Sequence, residues 1–422
     1  MQDDSAKKNE AGGRPETGVG SWFRDEIPEN LPWGDENLLE SLPEEVGEGF
    51  GVKVVDGVTL DGIRYEPGQF IMVDSREDFA RLLGAVPKVE GLVIPGYSRL
   101  VPTSLGMPHT HTVDLARYRK RVRADWVKAF LITAGLVGLA FTIPSLRFLG
   151  LIGAMMFGLF PLVDATMAWF RRVDLYTVQD LNRRLVNDEF FRRWLVTRPT
   201  GLLKIAVAVL VLIFAGQVLI DGAPRPGVTP TSLLAGALVK SAVLENGEWW
   251  RLLTTGLMHG SVLHILFNGM ALYSLGRIVV ALVSPSSLSI VFLVSVITGS
   301  LASLYLGPGA ISVGASGGLL GCLAFLLVVT QKFQKELPNF LRSSLIQSTI
   351  VVSLFGILGV QFIDNAAHAG GFFGGLLIGL LGYRWLRLAP ERSRPAVRIA
   401  GVGSALILLA GVAKVAWELF QA

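Results

Sequence analysis

Four residues in the second half of the chain have side chains and spacings suited to acyl transfer. Ser316 lies in Gly314-Ala315-Ser316-Gly317-Gly318, and His368 in Asp364-Asn365-Ala366-Ala367-His368-Ala369-Gly370-Gly371. A serine hydroxyl attacks a carbonyl poorly until a neighbouring base takes its proton, and an imidazole meets that need. His264 and Asn268 stand four residues apart, so on a helix they share one face. Both can aim N–H donors at the oxyanion that develops when an acyl carbon is attacked.

Each of these residues also has a plainer reading. A serine in an apolar helix commonly bonds the carbonyl one turn back. Taken alone, Gly-x-Ser-Gly is a packing motif, because Gly314/Gly318 and Gly317/Gly321 have the small-residue spacing that lets backbones approach. His264 and Asn268 could simply hydrogen-bond two helices together. His368 changes the balance, since an ionisable residue at a membrane span marks function by default. The segment after it repeats the small-residue rows, at Gly370/Gly374 and Gly371/Gly375/Gly379. Two helices with matching glycine faces would bring Ser316 and His368 within hydrogen-bond reach. Asp364 stands four residues before His368 and suggests a third member, but it is expected in the loop before the helix and is left out of the site. His109 and His111 in MPHTHT lack the cysteine or acidic partners that would complete a metal site.

The elements that must hold these residues are membrane spans. The chain has 422 residues, of which 51% are hydrophobic and 17% charged. Its mean hydropathy of +0.51 is too high for an ordinary soluble protein. Nearly all long apolar runs follow residue 125, and about 20 such residues cross a bilayer as a helix. Nine spans are expected, near 127–144, 148–169, 202–220, 262–282, 288–306, 314–330, 345–362, 367–386 and 398–419. Basic residues at 117–123, 171–198, 332–342 and 384–398 then fall in segments that the positive-inside rule places in the cytoplasm. That pattern puts the N-terminus inside, the C-terminus outside, and Ser316, His368 and His264 at the outer ends of their spans. The net charge of +4 reflects these loops rather than nucleic-acid binding. A single cysteine, Cys322, excludes an intrachain disulfide. Residues 1–20 lack the apolar core of a signal peptide, so the first span is expected to act as the targeting signal.

Before the spans, residues 1 to about 30 are polar and Gly-rich and read as a disordered tail. Strand-like runs at Val52–Val55, Ile63–Tyr65, Phe70–Val73 and Leu92–Ile94, with a helix N-capped by Ser75, indicate a small soluble α+β domain.

The motifs resemble those of the rhomboid family of intramembrane serine proteases. The likeness covers about 200–390 and rests on Trp250-Arg251, HGSVLHILFN at 259–268, GASG at 314–317 and AHAGG at 367–371. It implies an all-α polytopic membrane fold: a six-helix rhomboid core at 200–390, a transmembrane hairpin at 121–175 and an extra helix at 391–422. The cytoplasmic N-terminal region, 1–120, precedes them. The resemblance further implies a Ser316–His368 dyad without a third acid, an oxyanion site of His264 and Asn268, and a structural role for Trp250 and Arg251. Phe362 and Ile363 stand where family members often carry a glycine. The expected partners are transmembrane protein substrates and the lipid bilayer, with no nucleic acid, cofactor or metal; the expected location is the plasma or inner membrane. Two rival functions are an inactive rhomboid-like protein that binds clients without cutting them, and a transporter. Intact Ser316 and His368 speak against the first. The lack of an internal repeat or mid-bilayer charges speaks against the second.

Overall fold

The computed structural model describes residues 31–103 (except 48 and 96), 115–170, 178–221, 231–388 (except 361) and 394–421. The expected disordered tail and the His109/His111 pair lie outside the described residues. The chain divides into two compact units, one of residues 1–112 with 175–194 and one of 113–174 with 195–422.

In the first unit, strands β1 (Phe50–Val54), β4 (Phe70–Val73), β5 (Val89–Val93) and β6 (Val101–Pro102) form an antiparallel sheet in the order β4-β1-β5-β6. Strands β2 (Val58–Leu60) and β3 (Ile63–Tyr65) make a separate hairpin. Val52, Val54 and Leu92 are fully buried. Helix α1 (Arg76–Ala85) starts where Ser75 accepts the Asp78 N–H at 3.1 Å, as its sequence indicated. The unexpected member is helix α4 (Val178–Thr197), which forms within the Arg-rich stretch read from sequence as a basic loop. Trp33 is fully buried against Phe191 and Trp194 of α4, with ring centroids 5.1 and 5.5 Å away. Its indole N–H donates to the Asn187 side chain at 2.7 Å.

The second unit is helical. Helix α2 (Leu115–Thr142) pairs with α3, a continuous run built from Arg147–Gly153, a π segment Ala154–Leu159, and Phe160–Phe170. Then follow α5 (Gly201–Asp221), α6 (Val262–Leu282), α7 (Pro285–Leu306), α8 (Ser316–Lys332), α9 (Asn339–Leu358), α10 (Asn365–Leu381) and α11 (Pro395–Gln421). Seven of these helices are long and apolar enough to cross a bilayer. The other two, α8 and α10, are apolar but have only 17 residues each. The protein is therefore a polytopic helical membrane protein with a small α+β region ahead of its spans.

The tightest packing in the second unit involves glycine. A methyl group on Gly371 would strike the Gly317 backbone, and one on Gly375 the Gly321 backbone. Helices α8 and α10 thus meet backbone to backbone along the two glycine rows. Helix α7 closes on the same seam: a methyl on Gly299 would sit 2.7 Å from the Ala367 carbonyl oxygen. Lipid tails are as apolar as leucine, so close van der Waals contact replaces the hydrophobic drive at such an interface.

Two outcomes follow from this packing. Gly375→Ala should force α8 and α10 apart, costing stability by an amount typical of overpacking, about 1–3 kcal/mol, read as a lower thermal unfolding midpoint. Trp33→Ala should cost the first unit about 3–5 kcal/mol. In limited proteolysis, residues 31–103 and α4 should become susceptible together while the second unit stays resistant.

Candidate active site

Ser316 is the first residue of α8, and a glycine-dependent turn places it there. Gly314 has φ +123°, a region closed to most side chains, and a methyl there would lie 2.6 Å from His264 Nε2 and 3.5 Å from Asn268 Nδ2. The loop therefore passes directly against both side chains. Its path is held from behind, where the Gly314 N–H donates to the Thr255 carbonyl at 3.0 Å and the Thr255 hydroxyl donates to the Ser312 carbonyl at 2.7 Å. A two-residue ladder, β7 (Leu238–Val239) with β8 (Ile311–Ser312), pins the other end. Beneath the turn, Ala315 and Leu319 pack with Leu257, Met258, Ile265 and Leu272 in a buried core.

His368 occupies the first turn of α10. Asp364 caps that helix by accepting the Ala367 N–H at 2.9 Å, and the Ser303 hydroxyl donates to its other oxygen. Burial alone would raise the Asp364 carboxyl. Hydrogen bonds from Ser303, the Ala367 N–H and Ser312, with the nearby His368, outweigh it and hold the group below its ordinary value. Among the described residues no carboxylate hydrogen-bonds the His368 ring, so Asp364 positions the helix rather than the imidazole. Asn365 donates to the Gly356 carbonyl at 2.9 Å and ties α10 to the end of α9.

These two helix starts bring His368 Nε2 to 2.9 Å from Ser316 Oγ. Both residues are half-buried. If Nε2 is to accept the serine proton, the ring proton must sit on Nδ1.

His264 and Asn268 share one face of α6, whose N-terminus Ser261 caps by accepting the His264 N–H at 3.2 Å. Asn268 is buried, and its amide nitrogen lies 3.0 Å from His259 Nε2. His259 is the residue that sequence reasoning did not assign. It is 1% exposed and stands edge-on to His264 at 5.0 Å. Burial, helped by the neighbouring His264, pushes its pKa down to about 3, so the ring is neutral at physiological pH. With Nδ1 3.3 Å from the Leu257 carbonyl, the proton belongs on Nδ1 and Nε2 is left to accept the Asn268 amide. Gln217 on α5, also buried, clamps the His259 backbone from both sides, at 3.1 and 3.2 Å. An isolated glutamine in an otherwise apolar span was the available sequence signal.

Arg251 holds the surrounding loop. Its guanidinium donates to the Leu234 and Ala237 carbonyls at 2.6 and 3.0 Å and to Glu248 at 2.6 Å, and it stacks on Trp250 at 4.4 Å. Neither Arg251 nor Trp250 makes a hydrogen bond or ring contact with the serine or histidine just described.

Residues 246–385 match the family model described as "Rhomboid domain". These residues therefore form a rhomboid domain within the chain. The chain is 36% identical over 144 residues to the rhomboid protease GluP of Bacillus subtilis (strain 168), covering 34% of this chain and 28% of that protein. It is 33% identical over 153 residues to RHOMBOID-like protein 7 of Arabidopsis thaliana, covering 35% and 47%. RHOMBOID-like protein 1 of the same plant is 31% identical over 160 residues, covering 37% and 41%. The chain thus matches from about a quarter to about half the length of these relatives. Its rhomboid domain contains His259, His264, Asn268, Ser316 and His368 alike.

The His259 contact carries its own test. Its folded pKa lies below the ordinary 6.5, so the unfolded chain takes up the proton first as pH falls. Stability attached to His259 is therefore complete above about 6.5 and declines toward pH 3. His259→Gln, which keeps an acceptor for Asn268 but cannot titrate, should flatten the loss of thermal midpoint below pH 6.5. His259→Ala should release Asn268 and lower kcat with little change in KM, and His259→Gln should recover part of that kcat.

Proposed function

We propose that this chain is an intramembrane serine endopeptidase that cuts membrane-anchored proteins in or near a transmembrane segment. The observation that carries the reading is the 2.9 Å contact between Ser316 Oγ and His368 Nε2. In this mechanism Ser316 Oγ attacks the scissile carbonyl while His368 Nε2 takes its proton. The oxyanion is stabilised by His264, Asn268 and the Ser316 N–H, one of the donors that a helix start leaves without an intrahelical partner. His368 then protonates the leaving amine. A water molecule, deprotonated by the same ring, hydrolyses the acyl-enzyme and restores both residues. Every proton is handled by this pair, and no metal or organic cofactor is required.

The site's depth supports an intramembrane substrate. A 17-residue helix rises roughly 25 Å, less than the roughly 30 Å of a bilayer's hydrocarbon core. Helices α8 and α10 therefore begin or end inside the membrane, and irregular backbone at that depth is tolerated where it lines a wet cavity. The GASG turn and the Asp364 cap are such backbone, so water is expected to reach the dyad from one face. A substrate amide in an intact helix is shielded by its own hydrogen bonds, so helix-breaking residues near the cut should speed cleavage.

The proposed site is the plasma or inner membrane, with residues 1–120 and the basic loops in the cytoplasm. Trp33 packs on Phe191 and Trp194, so the segments on either side of the α2–α3 pair share one compact unit. An even number of crossings between them is consistent with that.

Labelling purified protein with a fluorophosphonate probe tests the reading. The adduct should map to Ser316, and Ser316→Ala should abolish both labelling and cleavage of a membrane reporter while leaving the fold intact. Turnover by well-folded Ser316→Ala protein would overturn it. Asn268→Ala should slow cleavage by about 10²–10³-fold yet leave Ser316-dependent activity. His368→Ala should cost more, because it removes the base. If Asn268 served only as structural glue, its removal would instead lower the thermal midpoint with per-molecule activity unchanged.

A further inference from the structure

At the end of the helical unit remote from the dyad, helices α7, α8, α10 and α11 enclose a small cavity. Ser316 opens α8 and the cavity touches Phe325, more than two turns along; on α10 the cavity begins only at Ile378. Its volume is about 110 Å³, and Ile290, Phe325, Ile378 and Val397 supply an apolar wall. Apolar cavities of roughly 150 Å³ accept a benzene-sized guest, so this one takes a short stretch of hydrocarbon rather than a folded peptide.

Two arginines complete the lining. Arg387 follows the end of α10 and Arg394 immediately precedes α11, and both residues are exposed. Neither guanidinium has a hydrogen-bond, ion-pair or ring partner among the described residues. The neighbouring cation is already engaged: Lys332 donates to the Tyr383 and Leu386 carbonyls, the latter at 3.0 Å. The start of α11, a 27-residue helix, adds its positive dipole end beside Arg394. Trp385 also lines the cavity and is 56% exposed, the placement of an indole at a membrane–water interface.

Together these features match one kind of ligand, an amphiphile with an anionic head and a hydrocarbon body. We propose that this cavity binds an anionic phospholipid, with its phosphate between Arg387 and Arg394 and the first carbons of an acyl chain against Phe325, Ile378 and Val397. A free phosphate would satisfy the guanidiniums but leave the apolar wall unfilled. A zwitterionic lipid would fill the wall but bring a compensating positive charge to the arginines. The bound lipid links α7, α8, α10 and α11 at the end opposite the site and is independent of the hydrolytic reading.

The full chain, reconstituted in nanodiscs, is photolabelled with a phosphatidylglycerol carrying a reactive group near the top of one acyl chain. Labelling should map to residues 378–388 and 394–397 and should exceed that by the matching phosphatidylcholine. Arg387→Gln with Arg394→Gln should reduce phosphatidylglycerol labelling by roughly fivefold per arginine removed. Arg384→Gln, an exposed neighbour outside the cavity lining, should leave it unchanged. Equal labelling by the two lipids overturns the proposal. So does competition by millimolar inorganic phosphate, which would identify a simple anion site. The wild-type lipid comparison stands by itself if the double variant does not fold.

Discussion

The site depends on two helices touching through their backbones. Gly317 and Gly321 of α8 lie against Gly371 and Gly375 of α10 with no room for a methyl group, and Gly299 of α7 meets the same seam at Ala367. Ser316 is one residue before the first of these contacts and His368 is three before Gly371. A Ser–His hydrogen bond needs positional accuracy of a few tenths of an ångström, and side chains at the interface would add several ångströms of separation. Close contact also supplies the adhesion. Between membrane helices dispersion and hydrogen bonding must do what hydrophobic burial does in water.

A second constraint is the shortness of the same two helices. Because α8 and α10 fall short of a full bilayer crossing, polar backbone must begin at depth, and every group there needs a partner. The structure meets this by crossed support between loops. Thr255 holds Gly314 and Ser312, Asp364 holds the start of α10 and the Ser303 hydroxyl, and Gln217 holds both backbone groups of His259. His259 in turn orients Asn268, so the amide facing Gly314 is set by a chain of buried bonds reaching back to α5. Such networks are stiff when complete and costly when one member is lost. Donors that must be preorganised, as those of the proposed oxyanion site would be, need that stiffness.

The soluble unit follows a different rule. Its sheet buries Val52, Val54 and Leu92 in water-driven packing, but its largest fully buried side chain, Trp33, is covered by a helix encoded more than 140 residues later. A small domain buries little surface by itself. Borrowing α4 from beyond the first two spans extends that core.

Much of this protein was legible in its sequence because the signals were local or periodic. Apolar runs marked the spans, β-branched runs marked β1, β3, β4 and β5, and Ser75 with its acidic first turn marked α1. Ser316, His368, His264 and Asn268 could be singled out because polar groups in an apolar chain are conspicuous, and the glycine rows indicated which helices would meet. The sequence could not say what lies across those helices, because lateral neighbours carry no local code. Helix α4 was hidden in an arginine-rich stretch whose apolar face has a purpose only once Trp33 is beside it. His259 stood in the HGSVLHILFN motif without a role until its ring was seen buried on Asn268 with Gln217 behind it. Asp364 was ambiguous between orienting the imidazole and capping α10, and only the direction of its hydrogen bonds decided for the cap. Residue type and spacing determined which groups are able to react. Tertiary packing decided which of them are held, because holding depends on contacts between segments far apart in the chain.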